Sequence, residues 1–282
     1  MAMVINTNVA SLNSQRRLTS TNNNLATTME RLSSGLRVNS AKDDAAGLAI
    51  ADKMTSQIRG MTVATRNAND GISMAQTAES AMGEMTNTLQ RMRDLAVQSA
   101  NDGAITSGDR EKLQTEFKQL NDELGRIVSS TEFNGKKIIA GSLDAGAAIQ
   151  VGANTGIENQ ITVSIADISG ISGMDTIRAG ASIGSDAGVA GAKDAISQID
   201  IAIGSIDTER AKLGAIQNRF TTTISNLQSS IENQSASRSR IMDADFAAET
   251  ASLSRNQILQ QAGTAMLSQA NQAPQAVLGL LR

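Results

Sequence analysis

The sequence contains no histidine and no cysteine. Those absences remove imidazole acid–base chemistry, thiol nucleophiles, Cys/His zinc sites and disulfides. Tryptophan and tyrosine are missing too, and four phenylalanines leave the chain 1% aromatic. Base-stacking platforms, aromatic cages and Trp-anchored pockets have nothing to be built from. A single proline in 282 residues leaves long stretches free to be helical. Neither charge dominates: 25 Lys and Arg stand against 28 Asp and Glu, a net charge of −3. Without a basic excess to grip phosphates, nucleic acid is not an expected partner. No run of about 18 apolar residues occurs, so no membrane insertion is expected. Met1–Asn8 lacks a positive, then apolar, leader, so no cleaved signal is expected.

What is present is aliphatic. Hydrophobic residues make up 40% of the chain, a composition suited to helices packed on helices. Met54, Ile58, Met61, Thr65, Ala68, Ile72, Ala75, Glu79 and Met82 follow steps of four and three. After a three-residue slip the stripe resumes at Met85, Leu89, Met92, Ala96 and Ser99. This predicts a coiled-coil seam with a stammer, on a helix on the order of 80 Å long. Ser40-x-x-Asp43 just upstream resembles a capping box, with Asp in place of Glu. Beyond the Asn101-Asp102-Gly103 loop signal, Leu113, Phe117, Leu120, Leu124 and Ile127 predict a second helix. Ile196, Ile199, Ile203, Ile206, Leu213, Ile216, Phe220, Ile224, Leu227 and Ile231 predict a third. Arg210 takes one position of that seam, and Leu213 to Ile224 reads as a local eleven-residue unit.

The middle differs in kind. Eleven of the 23 glycines fall between Gly141 and Gly204. Asn134-Gly135 is a turn signal, and Ile149-Gln150-Val151 and Ile161-Thr162-Val163-Ser164-Ile165 alternate as half-buried strands do. The expectation is a β-hairpin region over about 136–166, then a Gly-rich loop over about 167–192. The fold class is therefore mainly α: a coiled-coil-like helical bundle with a small β-hairpin region.

Both chain ends carry amphipathic helix patterns. The N-terminal one holds Ile5, Val9, Leu12, Leu25 and Leu32 among Asn, Ser and Thr. Leu253, Leu259, Leu267, Val277, Leu278, Leu280 and Leu281 mark the C-terminal one, which grows more apolar toward its end. Such ends must bury each other or bury into neighbouring subunits, and Pro274 should kink or interrupt the last helix.

Chemical motifs fail on inspection. Gly135-Lys136 lacks the upstream Gly and the following Ser/Thr of a phosphate loop, and Gly188–Lys193 reads as solvated chain. Asp43 and Asp44 diverge on a helix, and a dipole role at its N-terminus accounts for them. No catalytic, cofactor-binding or metal-ligating residue is assigned, and no cofactor is expected.

Ala2–Asn8, Glu30–Arg37, Asn39–Gly47, Arg66–Ser73, Glu132–Gly135, Ile149–Asn154, Ser237–Ile241, Gln257–Thr264 and Pro274–Arg282 together resemble bacterial flagellin. The resemblance covers most of residues 1–154 and 195–282, in order. It implies an inner helical domain from residues 1–43 and 243–282, paired around a channel and folding on assembly. Residues 44–242 then form a helical domain with the hairpin region, and no large outer domain is available. The implied function is a structural, non-enzymatic subunit that polymerises into the secreted, extracellular filament used for swimming, exported unfolded by the flagellar type III apparatus. Implied partners are many copies of itself, an export chaperone, the filament cap and hook-associated proteins. Rival readings are a hook–filament junction protein and a cytoplasmic coiled-coil adaptor; an enzyme is the remotest. Carried over residue by residue, the stretch Gln90–Gln98 resembles the site that a vertebrate flagellin-sensing Toll-like receptor binds. Arg91, Leu95 and Glu116 are its implied contacts, and Asp94 departs from the usual Glu.

Overall fold

Long periodic stretches with almost no proline become long helices. The computed structural model describes the backbone of residues 7–280 and the side chains of residues 7–272. Among the described residues the helices are α1 (Val9–Ser34), α2 (Ala45–Ser99), α3 (Ser107–Ser130), α4 (Met174–Gly180), α5 (Gly188–Met242) and α6 (Phe246–Leu280). Four short strands complete them: β1 (Glu132–Phe133), β2 (Lys136–Lys137), β3 (Ala147–Gln150) and β4 (Gln160–Val163). β1 pairs with β2 and β3 with β4, both antiparallel, with Phe133 opposite Lys136 and Ile149 opposite Ile161. The chain divides into two compact units, Met1–Gln57 with Glu232–Arg282, and Ile58–Ile231. The unit boundaries fall inside α2 and α5, whereas the sequence-based division at 43/44 and 242/243 falls at the helix breaks.

In the unit Ile58–Ile231, the second half of the α2 stripe is buried where the sequence placed it, through Met82, Met85, Leu89, Met92, Ala96 and Ser99. Upstream, Ala64, Gly71 and Ala78 are buried in place of Thr65, Ile72 and Glu79, so the seam runs in one heptad register from Met61 to Ser99 and the expected stammer is absent. α5 differs by one position. Its buried residues run Ala192, Ala195, Ile199, Ala202, Ile206, Glu209, Leu213, Phe220 and Leu227, an unbroken heptad register. Glu209 rather than Arg210 takes the charged seam position, and its carboxylate accepts from Lys212 Nζ at 2.6 Å. The small side chain of Ala202 carries the seam where the larger Ile203 lies only at its flank. Leu213, Phe220 and Leu227 are buried at steps of seven with Ile216 and Ile224 only partly buried, so the expected eleven-residue unit is an ordinary heptad.

Gly71 of α2 lets this core close. A Cβ there would come within 2.7 Å of Phe220 Cζ and 2.8 Å of Ile149 Cδ1, so both side chains pack against bare backbone. Gly60, on the same helix, receives Ala153 in the same way, and Asn67 Nδ2 donates to Gln150 O at 3.0 Å. The β3–β4 hairpin is thus seated along α2.

The segment expected as a Gly-rich loop is built differently. It contains a 3-10 turn (Ile168–Gly170), helix α4 and the first turn of α5. Ile168, Met174, Ile177 and Ile183 are each 0% exposed, in the same core as α3. Gly173, at φ +88, brings the chain so close to α5 that a Cβ would lie 2.5 Å from Gln198 O. Gln114 Oε1 accepts from Ile183 N at 2.7 Å, and Glu111 Oε1 accepts from Ser185 N at 2.9 Å. Four isoleucine or methionine anchors and one close glycine contact order the segment.

Candidate functional site

Most of the exposed large apolar side chains among the described residues lie on the terminal helices α1 and α6. α1 begins at Asn8, whose side chain accepts from Ser11 N at 3.0 Å, and ends at Gly35 in the left-handed conformation, φ +71. Two connections close on each other below it. Arg37 N donates to Met242 O at 2.6 Å, Ala244 N to Gly35 O at 3.0 Å, and Arg37 Nη2 to Ile241 O at 2.6 Å. Val38 is buried beside this clasp.

The sequence-predicted capping box closes as a turn instead of capping α2. Asp43 Oδ2 accepts from Ser40 N and Ser40 Oγ, each at 2.9 Å, and from Asn39 N at 3.2 Å. Hydrogen bonds from the Ser40 hydroxyl, then the Ser40 amide, hold the Asp43 carboxyl below its ordinary value of 3.8. The helix cap is Asp44, whose Oδ1 accepts from Gly47 N at 2.8 Å. Asp43 does reach back to Ser40, but the turn it closes lies before α2, and the next residue, Asp44, supplies the cap.

α1 and α6 lie against each other, and their seam is half polar. Ser11, Ser14, Leu18, Thr21, Leu25, Thr28 and Leu32 form the covered heptad stripe of α1, with Ser11 and Thr28 its buried members. On α6 the covered stripe is Leu253, Asn256, Gln260, Gly263, Leu267 and Ala270. Neutral side chains zip the two. Asn8 Nδ2 donates to Ala270 O at 2.7 Å, Ser11 Oγ to Asn271 Oδ1 at 2.7 Å, and Gln260 Nε2 to Asn22 Oδ1 at 3.1 Å.

The large apolar side chains point elsewhere. Val9 is 66% exposed, Leu12 50%, Phe246 57%, Ile258 65%, Leu259 49% and Met266 60%. Of the terminal residues singled out in the sequence, Leu25, Leu32, Leu253 and Leu267 are half-buried in the seam, while Val9, Leu12 and Leu259 face outward. Ile5 and Leu281 lie outside the described residues, as do the side chains of Val277, Leu278 and Leu280. Over the described backbone α6 stays helical through Pro274 to Leu280, so the expected interruption is not found.

In the other unit, Arg91 and Glu116 come together. Arg91 Nε and Nη2 both donate to Glu116 Oε1, at 3.0 and 2.6 Å. Leu95, one turn on, is 1% exposed and faces the core, while Asp94 is exposed. The outward neighbour is Arg93, which donates to Asp200 Oδ1 on α5 at 2.7 Å. Sequence spacing put Arg91 and Leu95 on adjacent turns, but the burial of the second follows from α2 being covered over more than one stripe.

No helix among the described residues is long and apolar enough to cross a membrane. Residues 5–144 match the family model of the bacterial flagellin N-terminal helical region, and residues 196–281 that of the bacterial flagellin C-terminal helical region. Flagellin B of Vibrio cholerae is 38% identical over 376 residues, with 100% of both chains covered. Flagellin D of Vibrio anguillarum is 38% identical over 378 residues, again with 100% of each covered. These alignments are longer than the 282 residues of this chain, so the relatives carry insertions that it lacks. A solved structure of a putative flagellar hook-associated protein from Vibrio parahaemolyticus shares the fold, with a TM-score of 0.59 at 13% identity over 71% of this chain and 100% of that one.

Proposed function

This chain belongs to the bacterial flagellin family, and from that premise we propose how it builds a filament: the outward apolar faces of α1 and α6 are the surfaces through which copies join. It is a structural subunit of the flagellar filament, as its flagellin relatives are structural proteins. One observation carries the proposal. The α1–α6 seam is half polar, with Ser11, Thr28 and Asn256 covered beside Leu18, Leu25, Leu32, Leu253 and Leu267, while Val9, Leu12, Ile258, Leu259 and Met266 lie outside. Large apolar side chains left this exposed are unfavourable in water, and a second copy that covers them relieves the cost.

Val9, Leu12 and Leu259 are then the direct intersubunit contacts. Leu25, Leu32, Leu253 and Leu267 hold the pair itself, and Ile5, Val277, Leu278, Leu280 and Leu281 extend the apolar ends. A half-polar seam repays little of the roughly 1–2 kcal/mol of backbone entropy per ordered residue. The terminal pair therefore becomes firmly ordered on assembly, as the inner domain around a channel. A chain without disulfides and with few large aromatic anchors suits export in the unfolded state by the flagellar type III apparatus. An export chaperone, the filament cap and hook-associated proteins are its further partners, and the chain performs no catalysis. A host flagellin-sensing receptor would meet it at Arg91 and Glu116.

Growth on seeds tests the proposal. Purified subunits added to short filament fragments should elongate them without limit. Addition that stops after a short segment would instead identify a hook–filament junction protein.

A further inference from the structure

Asn134 is the one non-glycine residue with positive φ among the described residues, at +51, and Gly135 follows at +75. With Phe133 paired to Lys136, the two form a two-residue hairpin turn of the I′ type. Both are exposed, no side chain lies within 4 Å of the position a Cβ of Gly135 would take, and no hydrogen bond pins the Asn134 side chain among the described residues. The sequence holds this single Asn-Gly pair.

We propose that Asn134 is a site of spontaneous deamidation whose rate is set by whether the β1–β2 turn is formed. In the reaction the Gly135 amide nitrogen bonds to Asn134 Cγ, and the Cγ–Nδ2 bond breaks. The Gly135 proton leaves with Nδ2 as ammonia, giving a five-membered succinimide. Water then opens either ring carbonyl, to aspartate or to isoaspartate, with no oxidant or cofactor. Gly135 matters chemically because its nitrogen has no neighbouring Cβ to shield it.

The folded turn opposes ring closure. In an L residue Cβ is offset from N by about 120° around the Cα–C bond, so the ring needs ψ of Asn134 near about −120°, whereas a I′ turn holds it near about +30°. Gly135 N is then close to anti to Asn134 Cβ, almost as far from Cγ as rotation allows. The dipeptide with the most reactive sequence is held in a conformation that cannot react. Release needs only local opening, because β1 and β2 each have two residues and both β2 residues are exposed.

Two Asp-Gly pairs serve as internal references. Asp70-Gly71 lies inside α2 with Gly71 buried, and the Asp102 carboxylate accepts from Arg110 Nη2 at 2.8 Å. Both start from carboxylates, which are poorer electrophiles than the Asn134 amide. Isoaspartate at 134 would add a backbone carbon to a turn that tolerates none. A chain waiting unfolded would be marked and a folded one spared; this consequence rests on export in the unfolded state, but the chemistry does not.

The test follows wild-type protein folded in buffer and held unfolded in urea, at one pH and temperature, by peptide mass mapping. Conversion at Asn134 should be at least about tenfold faster in urea, the factor that a local opening free energy of about 1.4 kcal/mol sets. A smaller ratio overturns the proposal, whether both forms react quickly or both slowly. So does earlier conversion of any other asparagine in urea. Gly135→Ala, compared in urea where folding is irrelevant, should slow the reaction at Asn134; an unchanged rate would count equally against it.

Discussion

Ser11 Oγ donates to Asn271 Oδ1 at 2.7 Å, joining α1 to α6 across 260 residues of sequence. The bond sits in a helix–helix seam where a leucine would ordinarily be found. Neutral hydrogen bonds of this kind contribute about 0.5–1.5 kcal/mol each, less than a buried leucine. The pair is held by such polar contacts together with the half-buried Leu25, Leu32, Leu253 and Leu267, while Val9, Leu12, Leu259 and Met266 face outward.

Making the seam apolar should therefore strengthen the pair in the free subunit. Thr28 is buried, and its Oγ1 receives only a long 3.5 Å bond from Asn256 Nδ2, a half-exposed group that water can satisfy. Thr28→Val exchanges that hydroxyl for a methyl and gains about 1 kcal/mol. Amide exchange of α1 in monomeric protein should slow by about fivefold. Equal or faster exchange would mean the polar seam is not the weak element.

The Arg91–Glu116 pair carries a prediction about receptor contact. Its side chains are 54% and 43% exposed, so a double-mutant cycle should give it no more than about 1 kcal/mol of stability. Arg91→Ala and Glu116→Ala should each fold normally and lose receptor-dependent signalling as monomers. Leu95→Ala should behave differently, since Leu95 is 1% exposed: a loss of about 2–5 kcal/mol in urea unfolding, with any signalling defect tracking the fold. Full signalling by both charge variants would remove the proposed contact.

How much of this was legible in the sequence varies with side-chain size. The α2 seam was legible from Met82 on, where methionines and leucines mark it, but upstream Ala64, Gly71 and Ala78 hold buried positions without looking like core. The α5 register was displaced by one because Ala192, Ala195 and Ala202 carry buried positions without looking like core. The packed segment around α4 was hidden by its glycines, one of which, Gly173, is what allows the close approach. In the terminal helices the sequence shows two competing stripes, Ser11–Leu18–Leu25–Leu32 and the Val9–Leu12 face. The leucines of the first stripe are the covered ones, but nothing in the sequence shows that Ser11 and Thr28 are buried beside them while Val9 and Leu12 stay exposed. Arg91 and Glu116 were legible only through family resemblance; nothing in their spacing announces an ion pair between helices.

Gly173 should be intolerant of any side chain. Gly173→Ala combines φ +88 with a Cβ 2.5 Å from Gln198 O and 2.8 Å from Ala202 N, both backbone atoms. A loss of about 2–4 kcal/mol in urea unfolding is expected. Gly204→Ala in α5 meets nothing within 4 Å and should instead stabilise by about 0.5–1 kcal/mol. Equal effects of the two would show that the close contact is not needed.

Acid should loosen the same segment. Hydrogen bonds from the Ser185 hydroxyl, then the Ser185 amide, hold the Glu111 carboxyl below its ordinary value of 4.5. A folded-state value below the unfolded one contributes stability that is present above 4.5 and lost as pH falls through the folded value. Amide exchange at Ser185 should therefore quicken as pH is lowered below about 4.5, after correction for intrinsic rates. Glu111→Gln keeps an acceptor but cannot titrate, and should flatten that response. An unaltered pH profile in this variant would contradict the assignment.

The most direct test of the central claim is seeded elongation by subunits whose outward faces have been made polar. Leu12→Ser, Leu259→Ser and Met266→Ser, combined, alter side chains that are 50%, 49% and 60% exposed and leave the Ser11, Thr28 and Asn256 seam intact. If copies join through these faces, the monomer keeps its helical circular dichroism and unfolding midpoint. Its critical concentration for growth on seeds rises by at least about a hundredfold, because each buried apolar side chain is worth about 1.5–3 kcal/mol. Elongation at the wild-type critical concentration would show that the exposed apolar faces of α1 and α6 are not the surfaces that build the filament.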